Sequence, residues 1–223
     1  PTDDSIYEGD ETGIVAISSV SGGSATESGN QSVTITIDEN ETAPVVNLSI
    51  NNSSIAENSD GTITVTATLS FATIINTTVV LDTSGTATEG TDYGNISDIT
   101  ISAGDTTGTA TFDPTDDTVY EGNETATVTI ANVVGADAGS TTSQTITITE
   151  NDSTPVVTLA TSATSIAENA GSSLTLTATL SNATTEDVTV ALSTSGTGTE
   201  GTDYSTISDI TISAGATTGT ASF

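Results

Sequence analysis

Almost every landmark in this chain returns 111 residues later, so the sequence is one unit written about twice. Ser54-Ile55-Ala56-Glu57-Asn58 comes back as Ser165-Ile166-Ala167-Glu168-Asn169, and Thr88-Glu89-Gly90-Thr91-Asp92-Tyr93 as Thr199-Glu200-Gly201-Thr202-Asp203-Tyr204. Glu39-Asn40 ahead of Pro44-Val45-Val46 matches Glu150-Asn151 ahead of Pro155-Val156-Val157. Pro1-Thr2-Asp3-Asp4 with Tyr7-Glu8-Gly9 recurs, two residues out of step, as Pro114-Thr115-Asp116-Asp117 with Tyr120-Glu121-Gly122. Solenoid units run roughly 20–50 residues, so this period belongs instead to a small independent domain. The chain reads as a stretch of a tandem array.

Composition sets the first functional constraint. The chain has 30 Asp and Glu and no Lys, Arg or His. Few large apolar residues and high net charge border on the disordered class, but strict patterning and a preserved repeat argue for folded domains. With no base in the chain to answer its carboxylates, a cation must come from solution. A polyanion of this kind repels nucleic acid and anionic lipid. With no cysteine there are no disulfides and no thiol chemistry. No apolar run approaches the length of a membrane span.

Thr62 to Leu69 and Ser173 to Leu180 alternate perfectly, as do Thr125 to Ile130, Thr145 to Ile148 and Ser32 to Ile37. A period of two, with β-branched Thr on the wet side, marks half-buried strands, and no window reads as helix. Turn clusters separate the runs at roughly 8–15 residues, which predicts an all-β fold of tandem immunoglobulin-like sandwiches with seven strands each. The complete repeat spans 43–152, with strands A (45–50), B (62–70), C (77–83), D (97–102), E (107–113), F (124–133) and G (142–149). Residues 1–42 supply strands F and G of a preceding repeat, and residues 153–223 supply A to E of a following one.

Alternating strand directions send the A–B, C–D and E–F loops and the end of G to one pole. Glu57, Asp92, Asp116, Asp117, Glu121, Glu124, Glu150 and Asp152 converge there, while the opposite pole holds only Asp105 and Asp137. Unpaired, such carboxylates raise one another's pKa and destabilise the fold. Calcium takes 6–8 oxygens from flexible loops, which makes Ca2+ the expected ion and magnesium the second choice. In the partial repeats the matching candidates are Asp3, Asp4, Glu8, Glu11, Glu39 and Glu41, and Glu168 and Asp203. Glu89, Glu200, Asp98 and Asp209 read as turn formers, and Tyr7, Tyr93, Tyr120 and Tyr204 as residues packed beneath the loops.

Ala56-Glu57-Asn58, Gly85-Thr86-Ala87 with Thr91-Asp92-Tyr93, Asp116-Asp117, and Glu121 with Glu124 resemble the Calx-β domains of sodium–calcium exchangers, integrin β4 and many bacterial surface proteins. The resemblance covers the whole chain as one complete domain and two partial ones. It implies that the acid after the first strand, the Asp of Asp-Tyr, the paired Asp after strand E, the Glu pair opening F and the acidic end of G are calcium ligands. In the exchanger domains that last element is a run of Asp, whereas here it is Glu150-Asn151-Asp152.

The chain is expected to be non-enzymatic. Paired carboxylates can cleave glycosides, but there is no Trp, no Lys, Arg or His to tune a pKa or hold an oxyanion, and no nucleophile–base pair of the Ser-His or Cys-His kind can be built. The short, proline-containing link from Asn151 to Pro155 restrains the joint between repeats. The expected role is an extracellular structural array at the cell surface, or secreted: a stalk, adhesin or filament stiffened by calcium at one acidic pole of each sandwich. The alternative is a calcium-dependent adhesion module that recognises glycan or a protein partner.

The expected partners are neighbouring repeats or copies of the chain itself. The F–G strands at one end and the A–E strands at the other would complete each other head to tail, unless the chain is an arbitrary cut from a longer array. Phe71, Ile74 and Ile75 in the B–C loop, where the third repeat has Asn182, Ala183 and Glu186, either fold back onto the core or mark a contact surface. Ten of the thirteen Asn residues, including Asn47, Asn76, Asn95, Asn123 and Asn182, lie in Asn-X-Ser/Thr triplets, an expectation of glycosylation.

Overall fold

Alternating sequence becomes alternating burial. In the computed structural model, which describes residues 1–223, eighteen strands and no helix form. At the N-terminal end, β1 (Glu11–Ala16) and β2 (Ser32–Ile37) pair as an antiparallel hairpin, Glu11 opposite Ile37. The complete repeat follows with β3 (Val45–Ile50), β4 (Ser54–Ala56), β5 (Ile63–Leu69), β6 (Thr77–Gly85), β7 (Ile99–Ile101), β8 (Thr107–Phe112), β9 (Val119–Tyr120), β10 (Glu124–Val134), β11 (Asp137–Ala138) and β12 (Ser143–Thr149). The third repeat carries β13 (Val157–Thr161), β14 (Thr175–Leu180), β15 (Ala183–Thr184), β16 (Val188–Val190), β17 (Ile210–Ile212) and β18 (Thr218–Ser222).

The complete repeat has one sheet in the order β11-β3-β5-β8 and another in the order β4-β12-β10-β6-β7. In β5, Ile63, Val65, Ala67 and Leu69 are buried, and the threonines between them face outward or sit at the margin. Val46, Leu48, Val79, Ile99, Ile101, Phe112, Val128, Ile146 and Ile148 join them in the core. Tyr93 is 1 % exposed and stacks on Phe112 with ring centroids 4.7 Å apart, and Tyr204 repeats the arrangement on Phe223 at 4.8 Å. The seven strands expected from alternation are all present. The short strands β4, β9, β11 and β15 were not expected, because two or three residues carry no period and are defined only by their tertiary partners.

Gly85 shows why the Gly-Thr-Ala segment has that sequence. Its φ is +136°, and a Cβ there would collide with the Thr125 carbonyl. The Thr86 hydroxyl accepts from the Thr125 amide at 2.9 Å, and the Ala87 amide donates to the Thr125 carbonyl at 3.0 Å. Only a residue without a side chain permits the backbones to approach this closely.

The residues divide into two compact units. One holds Pro1–Ile55, Gly61–Asp113 and Thr125–Thr147, the other Ala56–Asp60, Pro114–Glu124 and Ile148–Phe223. In the second unit, β13-β14-β18 form one sheet and β16-β17 another, with Ala178, Leu180, Ile210 and Ile212 as a small buried core. The partial repeats leave apolar faces open. Val15, Ile35 and Ile37 are 63 %, 52 % and 39 % exposed, whereas their counterparts Val128, Ile146 and Ile148 are 0 %, 0 % and 4 % exposed.

The B–C loop of the complete repeat does not fold onto the core. Phe71 and Ile74 are exposed, and Thr73 takes the inward position instead, its hydroxyl donating to the Ile75 carbonyl at 2.6 Å. No helix is long and apolar enough to cross a membrane.

Candidate metal centre

The A–B turn of the complete repeat is tied to the end of β12 by its backbone: the Glu57 amide donates to the Thr149 carbonyl at 3.1 Å. Glu57 is thereby only 6 % exposed, and its Oε1 accepts from the Asp117 amide at 3.3 Å. Glu150, directly after β12, is held by amides. Its Oε2 accepts from Glu121 at 2.7 Å and from Gly122 at 2.8 Å, and its Oε1 accepts from Asp152 at 2.7 Å. Gly122 has a φ of +78°, the left-handed conformation that lets successive amides converge on one anion. The Glu150 amide in turn donates to Asn123 Oδ1 at 3.0 Å.

These bonds gather carboxylates. One oxygen each from Glu57, Glu150 and Asp152 lie within 4.8 Å of one another. Burial pushes the Glu57 carboxyl up to about 7, against the Asp117 amide that favours its charged form, and Glu150, Asp117 and Asp152 push it further. Asp152 is raised by burial and by Glu150, Asp116 and Asp117. Burial opposes ionisation of Glu150 too, but the amides of Asp152, Glu121, Gly122 and Asn151 outweigh it and hold this carboxyl below its usual range.

One atom tests whether a cation fits. Asp152 Oδ2 is buried and has no hydrogen-bond partner. A buried orphaned carboxylate oxygen is costly, and the chain contains no Lys, Arg or His to answer it. The donor set is all oxygen, which a hard divalent cation accepts and a thiophilic one does not. The residues fit calcium.

The other candidates are placed as follows. Asp116 and Asp117 are exposed and stay outside the close group; Asp116 Oδ1 accepts from Asn151 Nδ2 at 3.3 Å, and Asp117 Oδ1 from the Val119 amide at 2.7 Å. Glu121 contributes its amide to Glu150, and Glu124 opens β10. Asp92 is buried and caps its own loop, its Oδ2 accepting from the Thr88 amide at 2.6 Å. Asp203 repeats that cap on Thr199 at 2.7 Å but is exposed, as is Glu168.

In the first repeat, Asp3, Asp4, Glu8, Glu11, Glu39 and Glu41 all line one cavity of about 260 Å³. There the Glu8 and Gly9 amides donate to Glu39 Oε2 at 2.6 and 2.7 Å, and Asn40 Nδ2 donates to Asp3 Oδ1 at 3.0 Å. A hydrogen bond between Glu39 and Glu41 pulls their acidities apart, lowering Glu39 to about 2 and raising Glu41.

The turn-forming acids act as read. Glu89 binds the Thr83 hydroxyl at 2.8 Å and the Ile96 amide at 2.8 Å, and Asp98 the Leu81 amide at 3.0 Å. Sequence reasoning missed Asn123 and its counterpart Asp10, each of which accepts the amide of the Glu after the last strand. Their shared offset from the Tyr-Glu-Gly segment was the available signal.

An oxygen-lined acidic cluster at the loops of an immunoglobulin-like sandwich defines a calcium-binding β-domain. The Calx-beta domain profile matches residues 38–153 and again 150–218, and the chain belongs to this family of calcium-binding modules. Among solved structures, the apo CBD1 domain of Calx is 21 % identical, with 48 % of this chain and 99 % of that one covered and a TM-score of 0.42. CBD12 from CALX1.2 is 20 % identical (76 % and 72 % covered, TM-score 0.40). The calcium binding domain CBD12 of CALX1.1 is 18 % identical (80 % and 74 % covered, TM-score 0.43). The family assignment rests on the profile and not on these likenesses. No curated protein matches the sequence.

Proposed function

We propose that the chain is a non-catalytic segment of an extracellular structural array, a stalk, adhesin or filament, whose repeats are stiffened by calcium. The observation that carries this reading is the orphaned Asp152 Oδ2 beside Glu57 and Glu150, three residues before the Pro155 that opens the next repeat. Glu57, Glu150 and Asp152 hold the ion, which supplies positive charge to carboxylates that no side chain neutralises. Because these residues come from the A–B turn and the end of β12, the ion ties the turn to the segment that leads into the link. The absence of Lys, Arg and His suits a module that takes its counter-charge from a calcium-rich medium.

Thermal unfolding of the chain with calcium and with excess EDTA tests this. The expected result is a midpoint raised by calcium and lost on chelation; the same midpoint in both conditions sinks the reading.

The partial repeats are completed by strands of neighbouring repeats or of further copies. The support is the contrast between exposed Val15 and Ile35 and their fully buried counterparts Val128 and Ile146. Edge strands and apolar faces of this kind recruit matching strands. In light scattering against concentration, the 223-residue chain is expected to self-associate, and Ile35→Asp to reduce the association. A strictly monomeric chain at high concentration removes self-completion.

A further inference from the structure

The linker is not the only connection between consecutive repeats. Within the second unit, β15 of the third repeat pairs in parallel with β9 of the complete repeat, Ala183 opposite Val119 and Thr184 opposite Tyr120. In repeat terms, the B–C loop of one domain lies against the E–F loop of the domain before it. The same B–C loop also holds the link itself, since Asn182 Nδ2 donates to the Ser153 carbonyl at 3.0 Å.

The loop that makes these contacts is built identically in both repeats. Thr184 Oγ1 donates to the Glu186 carbonyl at 2.6 Å, as Thr73 Oγ1 does to Ile75 at 2.6 Å. The Gly215 amide donates to the Thr184 carbonyl at 2.8 Å, as Gly104 does to Thr73 at 2.7 Å. Asp187 Oδ1 takes the Ala214 amide at 2.8 Å, as Asn76 Oδ1 takes Ala103 at 2.9 Å. Ser181 Oγ takes the Val156 amide at 3.0 Å, as Ser70 Oγ takes Val45 at 3.1 Å. Three anchors on the loop's own domain and one bond within the loop therefore fix its backbone, leaving the tip as the variable part.

The tips differ in chemistry. Asn182, Thr185 and Glu186 stand where the complete repeat has Phe71, Ile74 and Ile75. Within the first unit, Ile75 Cδ1 lies 3.7 Å from where a Cβ on Gly9 would be, so this tip reaches the first repeat's E–F loop with a methyl group. Gly122, the counterpart of Gly9, has nothing within that range. One joint is made by strand pairing and a side-chain hydrogen bond, whereas at the other an Ile75 methyl group lies near Gly9.

We propose that the B–C loop of each repeat is a docking loop for the E–F loop of the repeat before it, and that its tip side chains set which kind of joint forms. Such a loop fits one partner, a Tyr-Glu-Gly loop of the same family. It selects between partners through polar or apolar matching, since a buried amide facing a hydrocarbon is penalised. The docking contacts involve no acidic side chain of the metal centre, so they act beside the ion and do not depend on the proposed calcium role.

Hydrogen exchange on the 223-residue chain, in calcium and in EDTA, provides the test. Ala183→Pro and the gentler Asn182→Asp are expected to speed exchange of the Val119–Glu121 amides by at least tenfold and several-fold respectively, with β14 and β18 still protected. Ile75→Ser is expected to speed exchange at Ile6–Gly9 several-fold and leave Val119–Glu121 unchanged. Unchanged exchange at Val119–Glu121 in both third-repeat variants overturns the docking loop. If those amides respond to chelation alone, the docking loop also falls and the calcium reading stands. If the variants act and chelation does not, the docking loop stands and the calcium reading loses its support.

Discussion

The first repeat and the complete repeat build the same carboxylate cradle, and in the complete repeat Glu57 joins it. In both, a Glu after the last strand accepts two successive amides from a Tyr-Glu-Gly loop: Glu39 from Glu8 and Gly9 at 2.6 and 2.7 Å, Glu150 from Glu121 and Gly122 at 2.7 and 2.8 Å. In both, the amide two residues on closes onto the other oxygen, Glu41 at 3.0 Å and Asp152 at 2.7 Å. In the complete repeat the A–B turn adds Glu57, a third and buried carboxylate, beside Glu150 and Asp152. The cradle is a local product of two segments, and a third segment adds a charge that burial disfavours.

The largest effect expected from breaking this comparison is on the cradle of the complete repeat. Glu150→Ala leaves the Glu121, Gly122 and Asp152 amides without their acceptor. Hydrogen bonds to a charged group are worth about 1.5–3 kcal/mol each, with some replaced by water, so a loss of about 3 kcal/mol or more is expected in chemical denaturation. Glu150→Gln keeps one oxygen and should lose less. Equal losses for the two variants would mean that charge, and not the count of amides, holds the loop.

Calcium itself comes next. One site at a hundredfold excess over its dissociation constant stabilises by about 2.7 kcal/mol, and Glu57→Gln should remove most of that gain while leaving the cradle intact. Its midpoint in EDTA should equal or exceed that of the unaltered chain, because the substitution removes a buried charge. A calcium response unaltered by Glu57→Gln would move the ion to other carboxylates.

The pH dependence separates the two carboxylates within the centre. Glu57 is raised from 4.5 to about 7, so the folded, metal-free protein binds more protons than the unfolded chain between those values. Its stability in EDTA should therefore fall as pH rises from about 5 to 7.5. Glu150 is lowered, so its contribution is present at neutral pH and is lost as pH falls below 4.5. With calcium bound the first trend should flatten or invert, because the ion needs ionised ligands and releases protons on binding. Midpoints at pH 5.5 and 7.5, with and without calcium, measure this; a metal-free protein more stable at pH 7.5 contradicts the assignment of Glu57.

Much of this was legible in the sequence, and the limits have physical causes. Thr-rich alternation fixed the strands of the complete repeat because each inward residue, such as Val65 or Val128, had to meet a second sheet. Strand direction placed Glu57, Glu150 and Asp152 together, since reversal at each turn is a rule of antiparallel sheets. Which acids would stay apart was not legible. Asp117 spends an oxygen on the amide of Val119, and such a local hydrogen bond depends on loop dihedrals that composition does not encode. Nor was it visible that Glu150 is chiefly an amide-bound anion: Asp and Glu read alike as ligands or as caps until backbone donors are placed. The outward Phe71 and Ile74 were hidden for a similar reason, because the inward position at the loop went to Thr73 once its hydroxyl found a carbonyl.

The smallest expected effect sharpens the comparison from the other side. Glu39→Ala removes the same kind of acceptor as Glu150→Ala, but from a hairpin whose Val15 and Ile35 are already exposed, so little packing depends on it. Hydrogen exchange at Glu8, Gly9 and Glu41 should quicken about tenfold, with protection of β5 and β8 unchanged, because local opening and global unfolding are separate events where few apolar contacts connect them. If Glu39→Ala instead lowers the protection of β5, the first cradle supports the complete repeat and the two are not independent copies of one local device.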